Sequence, residues 1–227
     1  KVAKRELENI SDSQKRLLNH YITDSIYSGS KDVKWYFKGE EKKIEDKKDF
    51  QKLLSQVCSL VYKATPVFKN ELVNKHTISP SIHTAKRNYF KALANNWDKE
   101  NLGFEDAKFP PEKTIFLSLL KENGISPIRE NSFSVPTIDK KSSFNELWKA
   151  SEKFIESAKS EQRSIDEFVS VLSKRPLKLK QGFIDFWIST FLFLRRDDFA
   201  MFNNDGDLPS LTDDNLELIA KNPEDYS

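Results

Sequence analysis

The side chains best suited to bind a ligand in this chain are basic, and they form two groups. Lysine and arginine bind phosphate oxygens, so each group could contact a nucleic-acid backbone. The chain carries 37 basic and 35 acidic residues, a net charge of +2, so only a local patch could support such binding. The groups are Lys174, Arg175, Lys178 and Lys180, and Lys86, Arg87 and Lys91, the latter expected on the outward face of a helix.

Asp185 is the one carboxylate placed inside a strongly apolar run, from Phe183 to Leu194. A carboxylate in such surroundings could be catalytic. Buried charges are normally paired, however, so the favoured interpretation is an ion pair with Lys180, Arg195 or Arg196.

Metal and nucleotide sites are not indicated by the sequence. His20, His76, His83 and the single cysteine, Cys58, lack the spacing of metal ligands. The chain has no phosphate-binding loop of the G-x-x-x-x-G-K-[ST] type. Cys58 lies on the apolar face of a predicted helix, where we expect a small core residue rather than a nucleophile. We therefore expect no catalytic residue, metal or cofactor in this chain.

The composition indicates the elements that must position these side chains. With 17 Phe, 4 Trp and only 6 Gly among 227 residues, the chain is rich in core residues and poor in turns, as helical proteins are. No run approaches the roughly 20 apolar residues that span a bilayer. Without such a run or a signal peptide, we expect a cytoplasmic protein with no membrane partner. A chain that begins at Lys1 is expected to be a segment of a longer polypeptide.

The first 125 residues are predicted to form a helical unit with a β-hairpin near 33–44. Its first helix should be capped by Ser11 or Ser13, and its second, from Asp49, should bury an apolar stripe that runs from Phe50 to Val61. Further helices are predicted over 67–74, from Ser79-Pro80, and from Pro111 to a terminating Gly124.

Residues 126–141 are the predicted linker to a second unit over 142–227. Two capping boxes, Ser143/Glu146 and Ser164/Glu167, should open helices ahead of an apolar helix over 180–195. A hairpin with a strand over 199–202 and a turn over 203–206 follows, and then a helix capped by Thr212. Helix, helix and hairpin in that order predict a winged helix-turn-helix.

The predicted winged helix does not favour base reading. Its second helix carries Phe, Trp, Ile and Leu instead of Arg, Asn and Gln, and its wing turn, Asn203-Asn-Asp-Gly-Asp207, is acidic. Contact with a protein partner is therefore favoured over DNA, with phosphate contact by the basic residues left open.

A polar segment and three later stretches carry a resemblance to a known family. The segment contains Thr65, Pro66, Asn70, Glu71 and Asn74; it is followed by Ala85-Lys-Arg87, by motifs within 102–124, and by motifs within 176–202. Together they resemble a segment of the very large P-loop ATPases of bacterial phage-defence islands of BREX type, over about residues 33–226. The resemblance implies antiviral defence, with ATP and Mg²⁺ bound upstream in a parent chain, and assigns no catalytic residue here.

These observations predict a non-catalytic module of a defence ATPase that contacts other domains or subunits, or duplex DNA. The alternatives are a free-standing winged-helix DNA-binding regulator and an enzyme that uses Asp185 or Cys58.

Overall fold

The computed structural model describes residues 2–27, 33–127 and 137–227. Over these residues the chain is mainly helical, with eight α-helices and two small antiparallel hairpins. The predicted class, mainly α with short β-hairpins, is confirmed at that level. The chain divides into two compact units, Lys1–Val61 and Tyr62–Ser227.

This division differs from the expected one at 126–141. Residues 128–136 lie outside the described part of the chain, but the two flanks of that segment contact each other. The Asp139 N–H donates to the Asn123 carbonyl at 3.3 Å, and the Ser142 hydroxyl donates to the Asn123 side chain at 2.6 Å. Residues on both sides therefore belong to one unit.

The first unit contains two helices and a hairpin. They are α1 (Val2–Tyr27), β1 (Trp35–Phe37), β2 (Glu40–Lys42) and α2 (Lys47–Val61), and Trp35 pairs with Lys42 in the hairpin. The hairpin predicted near 33–44 is confirmed. The predicted cap at Ser11 or Ser13 is wrong, because α1 begins at Val2 and runs through both serines. The predicted helix end at Gly29-Ser30 lies outside the described residues.

Side chains of α2 are less buried than its apolar stripe predicts. No residue of α2 is fully buried, and Leu54 and Leu60 are exposed. Cys58 is exposed as well, so the expectation of a core cysteine is wrong. The first unit supplies few partners: among its described side chains, Ile44 is the one buried hydrophobic residue. An apolar helix face is buried only where another element covers it.

The second unit contains six helices and the second hairpin. They are α3 (Pro80–Asn96), α4 (Pro111–Leu119), α5 (Asn145–Ser157), α6 (Ile165–Ser173), α7 (Gln181–Leu194), β3 (Met201–Asn203), β4 (Gly206–Leu208) and α8 (Asp213–Lys221). Single 3₁₀ turns lie at Glu100–Gly103, Lys121–Asn123 and Pro223–Asp225.

Helix α7 forms the centre of the core, as its apolar sequence predicts. Every residue from Gly182 to Leu194 except Asp185 is buried, and α3, α5, α6 and α8 surround the helix. The rings of Phe68 and Phe183 stack with centroids 4.4 Å apart, and Trp187 donates its indole N–H to the buried Ser151 hydroxyl at 2.9 Å. Aromatic side chains therefore join the segments on both sides of 126–141.

Helix starts follow the sequence at some positions and not at others. Ser79 and Pro80 begin α3, and Ser164 and Glu167 form the predicted capping box of α6. Ser143 does not cap α5, which begins at Asn145; its hydroxyl instead accepts the Val67 N–H at 3.0 Å. A tertiary contact thus replaces the local cap.

The helix predicted over 67–74 is wrong, since this stretch forms turns and irregular backbone. Asn70 explains part of the difference. Its side-chain oxygen accepts the Leu72 N–H at 3.2 Å, and its amide donates to Ser118 of α4 at 3.1 Å. Such local bonds compete with helix formation.

The second hairpin and the C-terminal residues form a small sheet-like corner. Phe202 pairs with Asp207 across the hairpin, and the backbone of Phe202 exchanges two hydrogen bonds with Ser227, at 2.8 and 3.0 Å. The Tyr226 carbonyl also accepts the N–H of Ile165, the first residue of α6, at 2.9 Å. Thr212 caps α8 as predicted, by accepting the Asn215 N–H.

Candidate functional site

A groove between α5 and α6 collects basic side chains at one end of the second unit. It encloses a cavity of about 560 Å³. Four of its lining side chains are cations and one is a carboxylate: Lys149, Lys153, Lys174 and Arg175, and Glu146. Ala64, Ala150, Val171, Pro176 and Leu177 form its apolar floor and walls. We call this feature the α5–α6 basic groove.

The loop after α6 presents its cations because alternate residues anchor it in the core. Leu177 and Leu179 are buried, whereas Lys178 between them is exposed with a left-handed φ of 55°. The Leu179 N–H donates back to the Leu172 carbonyl at 3.0 Å, and the Thr65 hydroxyl donates to the Leu177 carbonyl at 2.5 Å. These bonds fix the loop.

The charges of the groove are largely unneutralised. Lys149 pairs with Glu146 at 2.9 Å. No described carboxylate lies within ion-pair distance of Lys153, Lys174 or Arg175. Lys174 and Arg175 also follow the C-terminus of α6, where the helix dipole favours positive charge. The cations can therefore bind phosphate or carboxylate oxygens without first breaking an ion pair.

The structure brings most of one predicted basic group together. Lys174, Arg175 and Lys178 are exposed on a single loop. Lys180 is exposed nearby, and its ammonium donates to the Asn74 carbonyl at 3.1 Å. Lys149 and Lys153 of α5 add two further cations to the groove. Their i, i+4 spacing, which places both on one face of the helix, was the one sequence signal for this.

The second predicted basic group does not form a surface. Lys86 is buried, with 5% of its area exposed, so the expectation that it faces outward is wrong. Arg87 donates from Nε and Nη2 to both oxygens of Glu217 on α8, at 3.1 and 3.3 Å. Lys91 stays exposed on α3. Because α7 and α8 both pack on α3, a face that the sequence marks as polar becomes an interhelical contact.

Asp185 is paired, but its cation is not one that the sequence indicated. Its carboxylate lies 3.9 Å from the Lys86 ammonium and accepts the Gln181 amide at 2.7 Å. Neither Lys180 nor Arg195 supplies the pair, and Arg195 contacts Glu152 and Asp198 instead. Burial raises the pKa of the Asp185 carboxyl against the opposing effects of Gln181 and Lys86, and burial lowers the pKa of the Lys86 amine.

The residues Thr65, Pro66, Asn70, Glu71 and Asn74, on which the resemblance depends, lie in the irregular segment between α2 and α3. Thr65 and Asn70 tie this segment to the loop after α6 and to α4, Pro66 is buried, and Glu71 is exposed. The Asn74 carbonyl receives Lys180. Their contacts hold the segment on the second unit's surface, close to the basic loop.

The described residues contain no group of three His, Cys, Asp or Glu side chains that could hold a metal ion. Among the described helices, none combines the length and the apolar composition that a bilayer-spanning segment requires.

Comparison with protein-family models, with curated proteins and with solved structures gives no significant match.

Proposed function

We propose that this chain is a non-catalytic binding module of a larger bacterial antiviral-defence ATPase, and that the α5–α6 basic groove contacts the phosphate backbone of duplex DNA. The observation that carries the DNA contact is the group Lys153, Lys174 and Arg175 around one groove, three cations that pair with no carboxylate among the described residues. The resemblance to phage-defence ATPases supports the parent class. A G-x-x-x-x-G-K-[ST] loop upstream in the same polypeptide is expected, and its absence from the full-length gene product would count against that class.

The order α6, α7 and β3–β4 hairpin supports a winged-helix-like unit whose second helix is not accessible to DNA. In DNA-reading winged helices the second helix enters the major groove. Here that helix would be α7, whose faces are covered by four other helices. We therefore place the DNA contact on the loop before α7 and on α5, and we expect binding without base reading.

Charge within the unit is consistent with this placement. Asp205, Asp207 and Asp225 lie at the hairpin corner, which contacts the first residue of α6. The basic loop follows the last residue of α6. A helix of nine residues separates the two ends by about 13 Å. A polyanion would be attracted to the basic end and repelled by the hairpin.

The test is fluorescence anisotropy of labelled duplex DNA with the full chain at several salt concentrations. About four phosphate contacts predict a slope of log K against log salt of about −3 to −4, with a Kd of about 10⁻⁵ M at low salt. Replacing Lys174 and Arg175 by glutamine should weaken binding and reduce the magnitude of the slope by about 2.

The matched control replaces Lys47 and Lys48 of α2 by glutamine, which removes the same charge from adjacent exposed lysines outside the groove. That variant should bind as the parent chain does. Equal losses in both variants, or no salt-dependent binding, would show that the groove is not a DNA site. Unrelated duplexes should bind equally; a strong preference for one sequence would instead favour the free-standing regulator.

A further inference from the structure

Helix α1 exposes an apolar stripe that no described element covers. Every side chain from Lys4 to Asp24 is exposed. Five large hydrophobic residues are at least 57% exposed: Leu7, Ile10, Leu17, Leu18 and Tyr21. Most helical stability in proteins comes from packing an amphipathic face, so we expect this 26-residue helix to pack against a partner.

The spacing of the stripe identifies the kind of partner. Leu7, Ile10, Gln14, Leu17 and Tyr21 follow one another at intervals of three, four, three and four residues. This is the spacing of the seam in a two-stranded coiled coil, in which a and d positions repeat every seven residues. Leu18 and Ile22 lie beside these positions and widen the apolar face in the second half of the helix.

Gln14 distinguishes the two directions in which a second α1 helix could pair with the first. In a parallel pairing in register, an a position faces the same position, so the two Gln14 amides can hydrogen-bond each other. In an antiparallel pairing that matches Leu7 with Leu17, the Gln14 side chain would face Ile10 and leave its amide unpaired. A single polar residue at an a position sets register in this way.

Charges beside the seam do not oppose self-association. In the parallel register Glu6, Ser13 and His20 of one helix face Ser11, Leu18 and Ser25 of the other, so no like charges meet. The other charged residues between Glu8 and Arg16 lie on the faces away from the seam. Leu18 widens the contact beyond the seam itself.

We propose that α1 pairs with α1 of a second copy of this chain as a parallel, in-register, two-stranded coiled coil. Specific interfaces bury about 1,200–2,000 Å² in total, and a single helix of about 39 Å reaches only the lower end of that range. The dimer should accordingly form in the micromolar range. This proposal is independent of the DNA contact.

The experiment measures the mass of the full chain by light scattering over about 1 to 100 µM. The mass should rise with concentration from one chain to twice the 26.4 kDa of a single chain. Leu17→Glu places a charge in the seam and should leave a monomer at all concentrations. Asn19→Glu places the same charge on the opposite face and should dimerise as the parent chain does.

Direction is tested by a disulfide. In a Cys58→Ser background, Gln14→Cys should cross-link to a covalent dimer on oxidation, whereas Asn19→Cys should not. Circular dichroism of each variant shows whether the second unit stays folded. A monomer at about 100 µM, a dimer retained by Leu17→Glu, or a trimer would overturn the pairing, and failure of Gln14→Cys to cross-link would overturn the parallel register.

Discussion

At the scale of single residues, the buried Lys86–Asp185 pair shows how burial opposes attraction. The two charged groups are 3.9 Å apart, with 6% and 16% of their side chains exposed. The raised pKa of Asp185 means that desolvation of its carboxylate outweighs the stabilising effects of Gln181 and Lys86. Replacing both members of such a pair by neutral residues often costs no stability, whereas removing one member leaves the other charge buried without its partner.

Because desolvation of the Asp185 carboxylate outweighs its attraction to Lys86, as the raised pKa indicates, we expect Asp185→Asn to be neutral or stabilising at pH 7 although Lys86 loses its partner. The pKa of Asp185 is higher in the folded state than in the unfolded state. Its contribution to stability is therefore complete below the unfolded-state pKa and is lost as the pH rises through the folded-state pKa. The advantage of the Asp185→Asn variant, measured by urea unfolding, should shrink as the pH falls from 7 towards 4. Titration of Glu217, whose pKa Arg87 lowers, cancels in the comparison. A large loss of stability at pH 7 would instead show that attraction to Lys86 dominates.

At the scale of elements, the packing of α7 depends on one glycine. The Gly182 N–H donates to the Lys75 carbonyl at 2.8 Å, so the loop lies directly against the helix. A Cβ at Gly182 would come within 2.6 Å of the Val73 carbonyl oxygen and 2.8 Å of that of Lys75. Backbone atoms cannot move aside as a flexible side chain can.

Gly182→Ala should therefore destabilise the protein by about 2 kcal/mol, as overpacking does. The sign of the change in unfolding free energy is informative. Alanine has the higher helix propensity, so the same substitution at a helix position with no close neighbour would stabilise by up to about 1 kcal/mol. Chemical denaturation measures the change. Thr84→Ala, on the exposed face of α3, is the control and should stay within about 0.5 kcal/mol of the parent. An unchanged or raised midpoint for Gly182→Ala would contradict the close contact.

At the scale of the whole molecule, the two units differ in how much apolar area they bury. The main buried cluster runs from Phe68 to Tyr226 and lies entirely in the second unit. Phe68 belongs to this cluster because its ring centroid lies 6.1 Å from that of Phe144 and 4.4 Å from that of Phe183. In the first unit Ile44 is the one buried hydrophobic residue among the described side chains, and the ring centroids of Trp35 and Phe50 lie 4.6 Å apart. We therefore expect the second unit to be the more stable of the two.

A fragment of residues 62–227 is expected to keep its helicity and to unfold cooperatively in urea, near the midpoint of the full chain. A fragment of residues 142–227, the unit that the sequence predicted, should fail to do so because it lacks Phe68 and α3. Far-UV circular dichroism distinguishes these outcomes. Cooperative folding of 142–227 alone would support the boundary at 126–141.

The predicted helix end at Gly124 was wrong, because α4 stops at Leu119 and Gly124 closes the 3₁₀ turn that follows. The sequence by itself determined the helical class, both hairpins, the central apolar helix α7 and the Ser164 capping box. Each depends on neighbours in the chain: periodicity, caps and turn residues act over a few positions. The basic loop of Lys174, Arg175 and Lys178 was also predictable, because charged residues beside a proline break remain on the surface.

Only the tertiary structure decided which helix faces are covered. Lys86 and Cys58 show the two directions of error: one lies on a polar face that α7 and α8 cover, the other on an apolar face left open. The partner of Asp185, the contribution of Lys149 and Lys153 to the groove, and the boundary after Val61 share this origin. Burial is a property of pairs of elements distant in sequence, and a local pattern does not specify the partner.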